Sequence, residues 1–114
     1  MENSVEITLY FADWCGHCVD FKPEWKKFKE NISECQDKYK KIRINATEYE
    51  HETLSREGGG KINNMEIDGY PTIKIRLSHK NKGEKEYNYD KYGKRDAQSM
   101  TDFLMRLCDE MGKA

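Results

Sequence analysis

The sequence has no long apolar run. Nowhere in its 114 residues do apolar side chains fill the roughly 20 consecutive positions that a helix needs to cross a bilayer. Nor does it carry an excess of either charge: the formal net charge is −1, so no long-range field points to nucleic acid or to an anionic membrane. The first residues, MENSVEITLYF, hold no basic leader and no small-residue cleavage site, and the last, DEMGKA, hold no retention signal or lipidation box. With Met1 as the natural start, a cytoplasmic location is the expectation. Four cysteines, spaced 3, 17 and 73 residues apart, are too few and too scattered for the framework of a secreted disulfide scaffold. Apolar residues are also scarce at 36%, matched by 36% charged, so the core must draw on one stripe per helix and one face per strand. A single domain over residues 1–114 is expected.

What is present is ordered by periodicity. Val5, Ile7, Leu9 and Phe11 alternate in VEITLYF, which predicts a strand. From Cys18 the apolar positions run Phe21, Trp25, Phe28, Ile32 and Cys35, in steps of three and four, which predicts one face of a long helix. Pro23 should kink that helix near its start rather than end it. KIRIN (Lys41 to Asn45) predicts a second strand, TEYEHETLSR a short helix, and EGGGKINN (Glu57 to Asn64) a loop. PTIKIRL (Pro71 to Leu77) predicts a third strand, and EYNYDKY, after the polar turn SHKNKGEK, a fourth in a hairpin with it. Met100, Phe103, Leu104, Leu107, Cys108 and Met111 close the chain at helical spacing. The first half is a βαβ unit with parallel strands, and the second an antiparallel hairpin with a covering helix.

The stretch ADWCGHCVDF carries the chemistry. A cysteine pair at this spacing could grip a metal, exchange a disulfide, or sit in a core. Cys15 falls where the first strand gives way to the helix, and Cys18 lies on the helix's apolar face, close enough for a disulfide. Unpaired N–H groups and the helix dipole at that end favour an anion, so Cys15 should be the sulfur that attacks. Cys18, turned inward, should stay a protonated thiol longer and resolve. An imidazolium at His17 would add positive charge beside the Cys15 thiolate and make the disulfide easier to reduce. A structural zinc site wants four ligands, commonly a second knuckle, and Cys35 and Cys108, on apolar helix faces, do not form one; no metal or other cofactor is expected. Cys35 and Cys108 read as buried small hydrophobes. His51 and His79 read as solvent-exposed.

WCGHC before a long helix, with GYPT leading a later strand, resembles the thioredoxin superfamily, most nearly the catalytic domains of protein disulfide isomerase. The resemblance runs from about Val5 to Leu107 and includes INATE and YGKRD. It implies an α/β thioredoxin fold in a minimal, truncated form, with a central mixed four-stranded sheet flanked by helices. It implies Cys15 as nucleophile and Cys18 as resolving thiol, with Trp14 flanking the site and Gly16 and His17 tuning its potential. About 90 mV separates thioredoxin-like from isomerase-like potentials, roughly 4 kcal/mol for a two-electron couple, and His17 could supply part of it. Pro71 matches the family's cis-proline, with Tyr70 before it offering backbone to a substrate peptide. Arg95 resembles an arginine that helps the resolving cysteine to ionise.

Three departures stand beside the match. Leu9 occupies the place of a buried carboxylate that takes the resolving thiol's proton, which leaves that task to Asp13, Asp20 or water. The carboxylate's usual lysine partner aligns with Arg43. The family's first strand and helix have no counterpart before Val5, and the Glu57–Asn64 loop lengthens the path to Pro71 as a surface insertion or a partner contact. The resemblance implies a protein disulfide oxidoreductase, of oxidase or isomerase type, acting as a monomer on protein thiols and disulfides. Glutathione or a dedicated reductase would exchange electrons with it, and the charge balance leads one to expect no nucleic-acid or membrane partner. A thioredoxin-like reductase and a slow-turnover binding module for a client protein are the alternatives. By analogy alone, such a domain also suits a large DNA virus.

Overall fold

The computed structural model describes residues 3–50 and 69–112. In chain order the elements are β1 (Asn3–Phe11), α1 (Gly16–Lys38), β2 (Ile42–Glu50), β3 (Thr72–His79), β4 (Gly83–Asn88), a 3₁₀ turn (Tyr89–Lys91) and α2 (Ala97–Gly112). The sheet order is β2-β1-β3-β4. β1 runs parallel to β2 and antiparallel to β3, and β3 runs antiparallel to β4.

Register decides which residues share a face. Val5, Ile7 and Leu9 lie opposite Ile44, Ala46 and Glu48 on one side, and opposite Leu77, Ile75 and Ile73 on the other. Their shared face packs into one core with Phe21, Trp25, Phe28, Ile32 and Cys35 of α1, and with Met100, Leu104, Leu107, Cys108 and Met111 of α2. The opposite face is polar. Thr8 and Thr47 hydroxyls meet at 3.4 Å, Tyr10 stacks on Tyr49, and Arg76 pairs with Glu86 at 3.5 Å. A chain with few apolar residues has concentrated them on one side of its sheet.

Helix α1 runs through Pro23 without a break. Asp96 accepts from the Ser99 N–H at 2.7 Å and so caps the start of α2. Glu24 of α1 reaches the Ala97 N–H at 3.0 Å, and Asn31 donates to Thr101 at 3.0 Å, tying the two helices together.

Among the described residues β2 has a strand neighbour on one side only. Its other side is met by a side chain. Gln36 donates through Nε2 to the Ile42 carbonyl at 2.7 Å and accepts through Oε1 from the Ile44 N–H at 2.9 Å. A carboxamide has the donor and acceptor of a peptide group, so Gln36 stands where the backbone of a further strand would bond.

Three sequence expectations need correction. Thr47–Glu50 belong to β2 rather than to a helix, because they pair with Thr8–Phe11; His51 and the rest of TEYEHETLSR, with the Glu57–Asn64 loop, lie outside the described residues. The fourth strand starts at Gly83 and ends at Asn88, and Tyr89 then turns fully into the core, donating to the Lys94 carbonyl at 2.6 Å. His79 is buried at the end of β3, where its Nδ1 accepts from the Asn81 N–H at 3.0 Å and closes the β3–β4 turn.

Candidate active site

The turn Ala12–Cys15 leads from β1 into α1, closed by the Cys15 N–H donating to the Ala12 carbonyl at 3.1 Å. Cys15 is the N-cap of α1, with extended backbone at φ −87° and ψ 116°. Its Sγ accepts from the Cys18 N–H at 3.2 Å, one of the four N–H groups that a helix start leaves unpaired. A thiolate there gains both the hydrogen bond and the positive end of the helix. On its other side the Cys15 thiol donates to the Tyr70 carbonyl at 3.4 Å. Cys15 thus sits between the helix start and the loop that leads into β3.

Cys18, one turn on, is 2% exposed, in a small cluster with Ala12 and Cys15 against which Phe11 and Tyr70 pack. Burial, followed by its hydrogen bond with Cys15, pushes its thiol up to about 11, against downward pulls from the Ala12 backbone and, last, from the Arg95 charge. Both sulfurs are buried, Cys15 at 8% exposed and Cys18 at 2%, but they are unequal by position: Cys15 caps the helix start and Cys18 lies one turn further in.

The remaining sequence candidates fall at different distances from this pair. The Tyr70–Pro71 bond is cis. The Tyr70 ring meets Trp14 edge-on at 5.9 Å, and Trp14 itself is 67% exposed, an aromatic lip beside the cysteines. Gly16 opens α1 with open space where a side chain would stand, so sterics alone do not demand glycine there. His17 is exposed on the first turn. Arg95 lines a shallow cleft with Tyr70, Pro71 and Thr72, and its Nε donates to Asp90 at 2.9 Å. Arg95 is thus brought to the Tyr70–Pro71 side of the site, held there by a carboxylate.

Behind Cys18 lies a cavity of about 290 Å³. Leu9, Cys18, Trp25, Lys29, Glu48 and Pro71 are among the residues that line it. Sequence reading missed Glu48, which hangs from β2 directly opposite Leu9. Its Oε1 accepts from Trp25 Nε1 at 3.1 Å and from Lys29 Nζ at 2.7 Å. Burial pushes its carboxyl up, but these hydrogen bonds and the Lys29 and Lys22 charges outweigh it, and the net displacement is downward. Arg43 lies opposite Ser4 on the other face, beside Glu6 and Asn45, so it does not share the Leu9 side. Asp13 is exposed and pairs with Lys22 at 3.9 Å; neither it nor the exposed Asp20 lines the cavity. The signal that could have found Glu48 was alternation: a β2 extended to Glu50 puts Ile44, Ala46 and Glu48 on one face.

Comparison with known proteins fits this geometry. The family model for thioredoxin matches residues 2–106. The chain belongs to the thioredoxin family. Among curated members it is 31% identical over 112 residues to protein disulfide-isomerase A6 of Mesocricetus auratus, covering 97% of this chain and 21% of that protein. It is 32% identical over 100 residues to a protein disulfide-isomerase of Datisca glomerata, covering 88% of this chain and 17% of that protein. The chain thus spans about a fifth of the length of these thioredoxin-family relatives. Among solved structures, the Trx4 domain of ERdj5 matches with a TM-score of 0.63 at 19% identity, over 90% of this chain and 77% of that one, a likeness of fold. The thioredoxin fold, with its mixed four-stranded sheet and two helices, is as the sequence led one to expect. Among the described residues no helix is long and apolar enough to cross a membrane.

Proposed function

We propose that this chain catalyses thiol–disulfide exchange on protein cysteines, and that it works as an oxidase or isomerase. The observation that carries the reading is the inequality of the two sulfurs: Cys15 Sγ receives an N–H at the start of α1, while Cys18 is buried behind it. In the reductive sense, the Cys15 thiolate attacks a substrate disulfide and forms a Cys15–substrate disulfide, releasing the first substrate sulfur as a thiolate that takes up a proton. Cys18 then loses its proton and attacks Cys15. The Cys15–Cys18 bond forms, the Cys15–substrate bond breaks, and the second substrate sulfur leaves with the electron pair. Two enzyme thiols are oxidised and one substrate disulfide is reduced; oxidation of a substrate dithiol is the same path reversed. Trp14 and Tyr70 frame the approach, and the edge of the Tyr70–Pro71 segment offers backbone to an extended peptide.

His17 and the similarity to protein disulfide-isomerases favour the oxidising direction over a thioredoxin-like reductase. Two measurements test this. Wild type and the Cys15→Ser and Cys18→Ser variants are compared in reduction of a protein disulfide; turnover by wild type no faster than by the double variant leaves only a binding module. Equilibration with glutathione then fixes the potential, and a value near about −270 mV, that of thioredoxin, would remove the oxidase or isomerase assignment.

A further inference from the structure

The step that the exchange reading leaves unassigned is deprotonation of Cys18. In the mixed disulfide Cys15 has no free charge and no proton to take, yet Cys18 must become a thiolate inside the core. We propose that Glu48, on the strand beside β1, receives the Cys18 proton through water in the cavity that the two residues share. This rests on the exchange reading above and assigns a residue to its second half.

Four observations carry it. Cys18 and Glu48 line one cavity, whose roughly 290 Å³ exceeds by several times the share of liquid volume taken by one water molecule, about 30 Å³. Leu9, the side chain paired with Glu48 across the strands, has no proton-accepting group, so no carboxylate of β1 competes at that wall. Trp25 Nε1 and Lys29 Nζ fix the Glu48 carboxylate through one oxygen, Oε1. Finally, the Glu48 side chain is 43% exposed, so a proton received on the cavity side has a way out to solvent. The charged groups that line the cavity with it are Lys22, Lys26 and Lys29, all on α1, and the charges of Lys29 and Lys22 hold the carboxylate ionised. Proton balance closes: the Cys18 proton passes by water to Glu48 and on to solvent, while the departing substrate thiolate is protonated from solvent.

The test separates the two steps. A peptide disulfide is mixed with reduced protein, and the mixed disulfide at Cys15 and its resolution are followed by acid quench and mass spectrometry from pH 5.5 to 9. Glu48→Gln keeps an oxygen for Trp25. It should leave formation of the mixed disulfide unchanged and slow resolution about a hundredfold near neutrality, the lower range of a lost general base. Wild-type resolution should be nearly flat with pH where Glu48 is ionised and Cys18 protonated. In Glu48→Gln it should climb about tenfold per pH unit, because hydroxide becomes the only base. Adding Leu9→Glu to Glu48→Gln should restore both the rate and the flat profile from the neighbouring strand. Equal resolution in wild type and Glu48→Gln overturns the relay, as does a slower rate with the wild-type pH profile. A wild type that forms no mixed disulfide at Cys15 overturns the exchange reading itself, at a different step.

Discussion

The inequality of the sulfurs can be measured on Cys18 alone. Cys15→Ser leaves Cys18 as the one thiol at the head of α1, and its alkylation by iodoacetamide reports the fraction ionised at each pH. In the intact pair the Cys18 thiol stands at about 11, against an ordinary 9.0. At pH 7 that means about one molecule in ten thousand ionised rather than one in a hundred, a differential of about 3 kcal/mol. Thiolates of higher basicity are better nucleophiles, with a Brønsted slope of about 0.4–0.5, which returns roughly tenfold. Alkylation near neutrality should then be about tenfold slower than for a free cysteine, before any steric cost of a 2%-exposed sulfur. Replacing the Cys15 sulfur by a hydroxyl takes away its charge but leaves burial, the first cause, so the midpoint in Cys15→Ser should stay above 9.0. Cys108, pushed to about 12 by burial, serves as a slower internal standard. Tagging of individual cysteines is read by peptide mass spectrometry across pH 6–10.5. A Cys18 midpoint at or below 9.0, with free-cysteine rates, would refute the reasoning from burial.

Three further outcomes are expected. His17→Pro places proline in the first turn of α1, where it is tolerated, and removes the imidazole; the disulfide should become harder to reduce by tens of millivolts in glutathione equilibration, about 30 mV corresponding to about 1.4 kcal/mol. Gly93→Ala would set a Cβ 2.6 Å from the buried Tyr89 hydroxyl, and urea denaturation should register a loss of about 1–3 kcal/mol, reduced when Tyr89→Phe is combined with it. Asp96 is held below its usual carboxylate range, first by the Ser99 N–H and then by the Ser99 hydroxyl. Because its folded value is depressed, its stabilisation is complete above the unfolded value of about 3.9 and is lost as pH falls through the lower folded one. Asp96→Ala should therefore cost about 1 kcal/mol at pH 6, and the gap from wild type should narrow in denaturation at pH 3.

Much of this was legible in the chain because it is local. Alternation in VEITLYF and PTIKIRL, and steps of three and four from Cys18 to Cys35, report directly on which side of an element is apolar. The cysteine pair was legible for the same reason: a strand ending, a helix starting, and two thiols three apart describe one turn of backbone. What stayed hidden depends on partners distant in sequence. TEYE looks helical by composition, and only pairing with Thr8–Phe11 makes it a strand, so the misread element concealed Glu48. His79 lies in a polar run, SHKNK, and its burial goes with a contact the run does not show, the Asn81 N–H of the β3–β4 turn on its Nδ1. Tyr89 continues the pattern of a strand but leaves it, because its hydroxyl finds the Lys94 carbonyl inside.

The amide of Gln36 has a consequence for how the molecule lives in a crowd. Open rims of β-sheets are where chains recruit one another into aggregates, and here the vulnerable rim is latched from within by a residue of the same helix that carries both sulfurs. Whatever loosens α1 at its far end withdraws that amide and leaves the Ile42 carbonyl and the Ile44 N–H open to another chain.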